Sequence, residues 1–513
     1  MNISAFSTIY SYYVTGPPAK SWSLLSDITF KGIHHFINKS SSLTVEDVQR
    51  LSTTLKPPVS FFLKQTKFTV PNEYRKRAGD TLEGLFTKEE KKCIGWDWTK
   101  GRENEAELEG EWLSMNKNRE RVILYLHGGA YYTCNYQMYR PFLHKLIKAS
   151  AYCITQKVTN LYKQYSDCST CSINYRLAPQ RPFPSAVEDA LATYIYLIED
   201  QAIDPKKIVI SGDSSGGGLT MALLLAIRDA GLPLPAGGMP ISPWIDLTHS
   251  LPSILSNMLT DFLPATGFKH APSPALDYSQ LPKRQMDAVI SDEAKEKAQK
   301  AKEKRKLTAE HDEDERASIG PLGIPVPKSS TDKDMYRIQF YAPNEALKVP
   351  MVSPIFDRRR FRGLPPLLVQ CGKSERLRDE SLYLSLEASG VFDKDSQHGQ
   401  PTQVTLEVFV DQPHVFQIMF IHTKPTKRAI RNLASFVSEV TGSSKNEAYY
   451  LSDQLLSVKE INPLGKTVEA TKELLKYVDR KRWEEWKKRL ARPSIKERMD
   501  EVTEYYKKLI HTT

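Results

Sequence analysis

Residues 207–218 read KIVISGDSSGGG. A β-branched run enters a glycine-rich turn, and a stretch with helical composition leaves it. Within the turn, Gly212-Asp213-Ser214-Ser215-Gly216 matches the pattern G-x-S-x-G, directly between an expected strand and an expected helix. That context constrains the chain more than the pentapeptide alone. A serine on such a turn is held in strained backbone geometry, and only glycines two residues away on either side leave room for it. Its hydroxyl then projects above a sheet, while the helix N-terminus offers N–H groups and a positive dipole end. Ser214 is therefore the candidate nucleophile.

The surrounding pattern agrees with a sheet of that kind. From residue 121 short apolar runs alternate with amphipathic stretches. The spacing predicts strands over 122–126, 172–175, 207–211, 367–370 and 405–410, with another ending at Pro243-Trp244. It predicts helices over 139–148, 186–198, 217–230 and 428–440. Strands alternating with helices mean βαβ units and a mainly parallel sheet, which sets a catalytic-type core at 118–442. Residues 1–117 read as an N-terminal cap region, with helices around 24–38 and 45–55, the second N-capped at Thr44. Three segments break the rhythm. Residues 151–170 are polar and Tyr/Cys/Lys-rich where such a connection normally takes about two to six residues, and are expected to be dispensable. Residues 256–347 form a long insertion, whose middle, 292–316, is nearly all charge and alanine with no core-forming face. Residues 443–513 form a helical, basic extension.

Composition excludes several classes. With 40% hydrophobic and 26% charged residues among 513, the chain is neither wholly disordered nor collagen-like, and no window of about 20 residues is apolar enough to span a bilayer. Lys plus Arg is 71 against 61 for Asp plus Glu, a formal charge of +10. That excess permits attraction to anionic membranes and is no nucleic-acid signature without a clustered face. Six cysteines at unrelated spacings suit a reducing compartment. The first fifteen residues lack the basic and apolar regions of a secretory signal, so a cytoplasmic location is expected. Cys168-x-x-Cys171 has no second pair to complete a metal site, and neither metal nor cofactor is expected.

Upstream of the serine, the strand 122–126 runs into His127-Gly128-Gly129-Ala130. Acyl transfer creates a negative oxygen, and backbone N–H groups aimed at it stabilise it; losing one such donor typically costs about 2.7–4 kcal/mol of barrier. Adjacent glycines after a strand let the backbone come close to a substrate. His127–Ala130, Tyr175-Arg176-Leu177-Ala178-Pro179, Pro182-Phe183-Pro184 with Glu188-Asp189, and Gly212–Gly217 together resemble, in order and spacing, the hormone-sensitive-lipase group of α/β-hydrolases. This family contains arylacetamide deacetylase and the sterol-acetate esterases, and the resemblance covers about 120–440.

The resemblance implies an eight-stranded, mainly parallel α/β-hydrolase sheet with helices on both faces, and a carboxylic-ester hydrolase. It places the oxyanion donors at Gly129, Ala130 and Ser215, with His127, Gly128, Gly212 and Gly216 shaping the two turns. Ala130 stands where the family usually has a third glycine, so the N–H is kept and a Cβ is added beside the acyl pocket. In this fold the acid and the histidine follow the serine in chain order. His414 in Asp411-Gln412-Pro413-His414 follows the strand 405–410, where the family carries its base. His398 precedes that strand and His422 falls near the next helix. The acid's place is taken by Glu375 in Gly372-Lys373-Ser374-Glu375, where aspartate is usual. Asp379 and Glu380 suit the first turn of a helix, and Asp246 is an alternative acid.

The reading is thus a Ser-His-Glu hydrolase acting on small-molecule or lipid esters; the alternative is a ligand-binding or scaffolding protein that keeps the fold without turnover. In the extension, Leu474, Leu475, Val478, Trp483, Trp486 and Leu490 form an apolar stripe flanked by Lys481, Arg482, Lys487, Lys488 and Arg489. Such a stripe fits either a helix lying on an intracellular membrane surface or packing against residues 1–110.

Overall fold

In the computed structural model the described residues are 5–512, apart from 41, 100–104, 117–118, 156–167, 265–266, 269, 272–337, 394–395, 443–449, 452 and 493–494. The charge-rich stretch 292–316 lies outside them. Among the described residues, strands β1 (Lys64–Val70), β2 (Leu108–Ser114), β3 (Arg121–Leu126), β4 (Cys168–Ile173), β5 (Ile208–Asp213), β6 (Gly237–Ile241), β7 (Leu367–Gly372), β8 (Val404–Phe409), β9 (Leu456–Ile461) and β10 (Thr467–Glu469) share one sheet. Their order is β1-β2-β4-β3-β5-β6-β7-β8-β9-β10. The seven from β4 to β9 pair in parallel, while β1, β2 and β10 join antiparallel at the two edges.

The central strands are buried on both faces, as parallel strands must be when helices cover each side. Alternate side chains divide between two cores. Val122, Leu124, Ile208 and Ile210 face one, which includes Leu219 and Leu223 of the helix Ser215–Asp229. Ile123, Tyr125 and Val209 face the other, made by Phe142 and Leu146 of helix Arg140–Thr155 and Leu433 and Phe436 of helix Lys424–Val440. The motif residues Arg176, Glu188 and Asp189 act in this packing. Arg176 Nε donates to both Asp189 oxygens at 3.1 and 3.0 Å, and Arg75 Nε from the N-terminal region reaches the same carboxylate at 2.9 Å. These guanidinium groups, outweighing burial, hold Asp189 below the usual aspartate value. Thr44 caps helix Val45–Thr54 with a capping box closed by Asp47.

Three expectations need correction. The sheet has ten described strands where eight were expected. Two of them, β1 and β2, come from residues 1–117, read as a cap, and the side chains of β1 are mostly exposed, so no apolar run marks it. β9 and β10 come from the C-terminal extension, which is therefore not purely helical. Second, β4 begins at Cys168 rather than Ser172, inside the segment expected to be dispensable. Thr170 pairs with Ile123 on one side and Leu113 on the other, and helix Arg140–Thr155 extends into the segment from its start. Removing 151–170 would cut both elements. The cause of the misreading is that CSTCSI is a fully buried strand of small polar residues without alternation.

Third, the apolar stripe of the extension is not a free face. Trp483 and Trp486 are buried, and Trp483 stacks on Tyr383 at 4.7 Å and on Phe392 at 5.0 Å between centroids. Trp483 thus packs on Tyr383 of helix Arg378–Ser389 and on Phe392, so both tryptophans of the stripe are turned into the protein. No helix among the described residues is long and apolar enough to cross a membrane. The N-terminal region covers the chain after β8: Trp22 packs tilted on Phe30 and edge-on against Phe420, and its indole N–H donates to the Asp411 carbonyl.

Because Trp483 fills a site walled by rings from two segments, Trp483→Ala should cost about 3–5 kcal/mol of stability. Urea unfolding of the full chain measures this; an unchanged midpoint would mean the extension contributes nothing to the fold.

Candidate active site

β5 ends at Asp213 and the next helix starts at Ser215, so Ser214 takes up the whole change of direction. Its backbone sits at φ 54° and ψ −121°, a conformation a non-glycine residue holds only when its surroundings over-determine it. Those surroundings are explicit. Ser214 N donates to Ile241 O at 2.9 Å, and Trp244 N donates to Ser214 O at 2.9 Å. A Cβ on Gly216 would lie 2.1 Å from Leu126 O, and one on Gly212 2.3 Å from Gly216 O. The two glycines let the turn close onto the end of β3.

The loop after β3 is tied to this turn from both sides. Asp213 Oδ1 accepts from Gly128 N at 3.0 Å and from the Tyr125 hydroxyl at 2.7 Å, while Oδ2 accepts from Tyr139 at 3.3 Å. Tyr131 N donates to Ser215 Oγ at 3.2 Å. Gly129 and Ala130 are held between these two ties, beside Ser214 and Ser215. Both have left-handed backbone, φ 114° and 52°, and a Cβ on Gly129 would lie 2.2 Å from Thr133 O. His127 is buried and stacked on Tyr175 at 4.2 Å. Burial pushes its imidazole down to about 4, so it stays neutral, and its Nδ1–H donates to Gly128 O at 2.7 Å.

His414 stands on the loop after β8, and its Nε2 lies 2.9 Å from Ser214 Oγ. Glu375 follows β7. Its Oε1 is 3.9 Å from His414 Nδ1, an ion-pair separation and too long for a hydrogen bond. Its Oε2 accepts from Ser242 Oγ at 2.7 Å and from Gly372 N at 2.8 Å. Burial by itself would push the His414 imidazole down. Glu375 first, then Asp261 and Asp213, overcome that and hold it above the ordinary histidine value. Ser214, His414 and Glu375 thus meet, with Gly129, Ala130 and Ser215 alongside. A serine hydroxyl whose proton an imidazole can take, beside backbone N–H groups, is equipped to attack an acyl carbon.

The rival residues lie elsewhere. His398 sits before β8, at the opposite end of that strand from His414. His422 is exposed between two helices. Asp246 is buried within its own loop, accepting from Thr248 N and Ser250 N. Asp379 accepts from Ser253 N, and Glu380 accepts from Ile245 N and Asp246 N, so both brace the loop after β6. Cys168 and Cys171 are buried in β4, and among the described residues no three His, Cys, Asp or Glu side chains gather as a metal site.

Sequence reasoning missed Asp213, Ser242 and Asp261. Asp213 was only a variable position of the pentapeptide. Ser242 follows a strand whose sequence, GGMPI, carries no clear pattern. Asp261 lies inside the segment set aside as an insertion.

Residues 123–271 match the family model described as alpha/beta hydrolase fold. The chain is 39% identical over 137 residues to an acetyl-hydrolase of Streptomyces hygroscopicus, covering 27% of this chain and 40% of that protein. It is 24% identical over 335 residues to an esterase of Acinetobacter venetianus, covering 65% of this chain and 80% of that protein. The chain spans less than half the length of the acetyl-hydrolases it matches. A crystal structure described as an esterase from the bacterial hormone-sensitive lipase family has the same fold, with a TM-score of 0.51 and 24% identity over 82% of this chain and 99% of that one.

The Asp213 clamp generates a pH prediction. Burial, only partly offset by its hydrogen bonds, pushes Asp213 up from 3.8 to about 6. The native state then binds more protons than the unfolded state between those values, so this residue's contribution to stability is full below about 4 and is lost as pH rises through about 6. Asp213→Asn removes that dependence. Relative to the unsubstituted chain, the variant should gain about 2–3 kcal/mol between pH 4 and pH 7 in urea unfolding. A stability difference independent of pH would show that Asp213 titrates normally.

Proposed function

We propose that this chain, which has the α/β-hydrolase fold and matches that family model over residues 123–271, hydrolyses carboxylic esters through Ser214, His414 and Glu375. The observation that carries the reading is the 2.9 Å contact between Ser214 Oγ, on its strained turn, and His414 Nε2, from a residue 200 positions away. His414 takes the Ser214 proton as Oγ bonds to the acyl carbon. The carbonyl oxygen becomes an oxyanion that accepts from the N–H groups of Gly129, Ala130 and Ser215. The ester C–O bond then breaks, the imidazolium protonates the departing alkoxide, and the acyl group remains on Ser214. A water, deprotonated by the same imidazole, attacks the acyl-enzyme and releases the acid. Glu375 keeps the Nδ1–H tautomer and stabilises the imidazolium across the 3.9 Å gap. No step calls for a cofactor. The substrates that fit this chemistry are esters of small acyl groups or of lipophilic alcohols.

The test is turnover of p-nitrophenyl acetate and butyrate. Ser214→Ala and His414→Ala should each lower kcat by at least about 10⁴-fold, with melting temperatures near that of the unsubstituted chain. His398→Ala should retain most activity. Near-normal turnover by Ser214→Ala would refute the mechanism, and equal losses at His398 and His414 would refute the assignment of the base. The base must be neutral, and its value is raised above 6.5, so the acidic limb of kcat/KM should lie above that pH. A limb below it would show that the neighbouring carboxylates do not govern His414.

A further inference from the structure

The loop carrying Glu375 is gripped by one short segment, 253–264, which follows β6 and the loop 242–252. Ser253 Oγ donates to Arg376 O at 2.7 Å, Asn257 Nδ2 to Glu375 O at 2.7 Å, and Thr260 Oγ1 to Ser374 O at 2.8 Å. Arg376 N donates to Asp261 Oδ2 at 2.5 Å, and Leu263 N to its Oδ1 at 3.3 Å. The grip ends beside the base: the Phe262 ring lies 5.8 Å from the His414 ring, and Asp261 is 1% exposed. Asp261 and His414 attract one another electrostatically. Glu375 meanwhile stands 3.9 Å from Nδ1, an ion-pair separation, and a positive charge on this imidazole is favoured first by Glu375 and then by Asp261.

We propose that Asp261 is a positioning residue for the base, a second buried carboxylate that shares with Glu375 the stabilisation of the His414 imidazolium. The proposal rests on the ester-hydrolase reading. The charged groups facing His414 are Glu375, Asp261 and Asp213; those facing Asp261 are His414, Glu375 and Arg376. Two carboxylates here repel one another, and a proton on His414 relieves that repulsion. Proton transfer from Ser214 creates this relief at the moment of attack, so Asp261 favours the transition state although it touches neither serine nor substrate.

The test is the pH profile of kcat/KM for a p-nitrophenyl ester, from pH 5 to 9. Removing a negative charge makes the imidazole a weaker base. Asp261→Asn should therefore move the acidic limb to lower pH and lower the alkaline plateau roughly tenfold, with KM little changed. Asp261→Ser, smaller and still able to accept from Arg376 N, should do the same. Asp261→Glu, which keeps the charge, should hold the limb in place. Thr260→Val breaks a neighbouring bond of the grip without altering charge, and should leave the limb where it is. A limb unmoved in either neutral Asp261 variant overturns the proposal, whatever happens to the plateau, because a structural role would lower the curve without shifting it. A limb moved equally by Thr260→Val overturns it as well. Ser214→Ala in the same assay separates the two failures: retained turnover there sinks the reading of the site, whereas an inactive Ser214→Ala with an unmoved Asp261 limb sinks only this inference.

Discussion

The backbone of Gly216 lies against the carbonyls of Leu126 and His127 with no space for a side chain between them. This contact joins the nucleophile turn to the end of β3. It brings the start of the helix Ser215–Asp229 over the sheet and lets Asp213 reach the amide of Gly128. Without it the serine would lie on an ordinary turn, and the loop holding Gly129 and Ala130 would have no fixed position. The left-handed backbone at Ala130, Ser214, Ser242 and Val415 is concentrated at the C-terminal edge of the sheet. Strain of this kind is maintained by the packed strands beneath it.

Polar contacts, rather than apolar ones, carry the site from one segment to the next. Ser242 Oγ donates to Glu375 and accepts from Val415 N at 3.3 Å, so one hydroxyl links the loops after β6, β7 and β8. Asp213 does the same for β3 and β5. Both are buried, and in a medium of low dielectric such bonds are strong when complete and costly when broken. The site is therefore a network whose members are few and separately placed.

The sequence made some of this legible and not the rest, for physical reasons. The strand-turn-helix around Ser214 was readable because glycine spacing, β-branched residues and helical composition agree locally. Chain order and strand direction were enough to separate His414 from His398. The small polar residues of β4 hid a buried strand, since its register is fixed by neighbours at Ile123 and Leu113 rather than by its own pattern. β1 escaped because an edge strand with exposed side chains need not alternate. The Trp483 stripe showed helical period and nothing of its partner, for Tyr383 and Phe392 lie about 100 residues away. Asp261 and Ser242 act only through contacts across the fold, and no local signal marks such residues.

β8 delivers His414, and its two neighbours come from distant parts of the chain. β7 precedes it, whereas β9 belongs to the extension and pairs with it along its full length. During synthesis β8 is therefore an open edge, with unpaired amides and carbonyls, until residues 456–461 have left the ribosome. Serine, oxyanion loop and acid have all been made by then. The order of synthesis thus leaves the strand that sets the base open on one side after the rest of the site has been made, and an interrupted chain keeps its nucleophile while its histidine hangs from a half-paired strand.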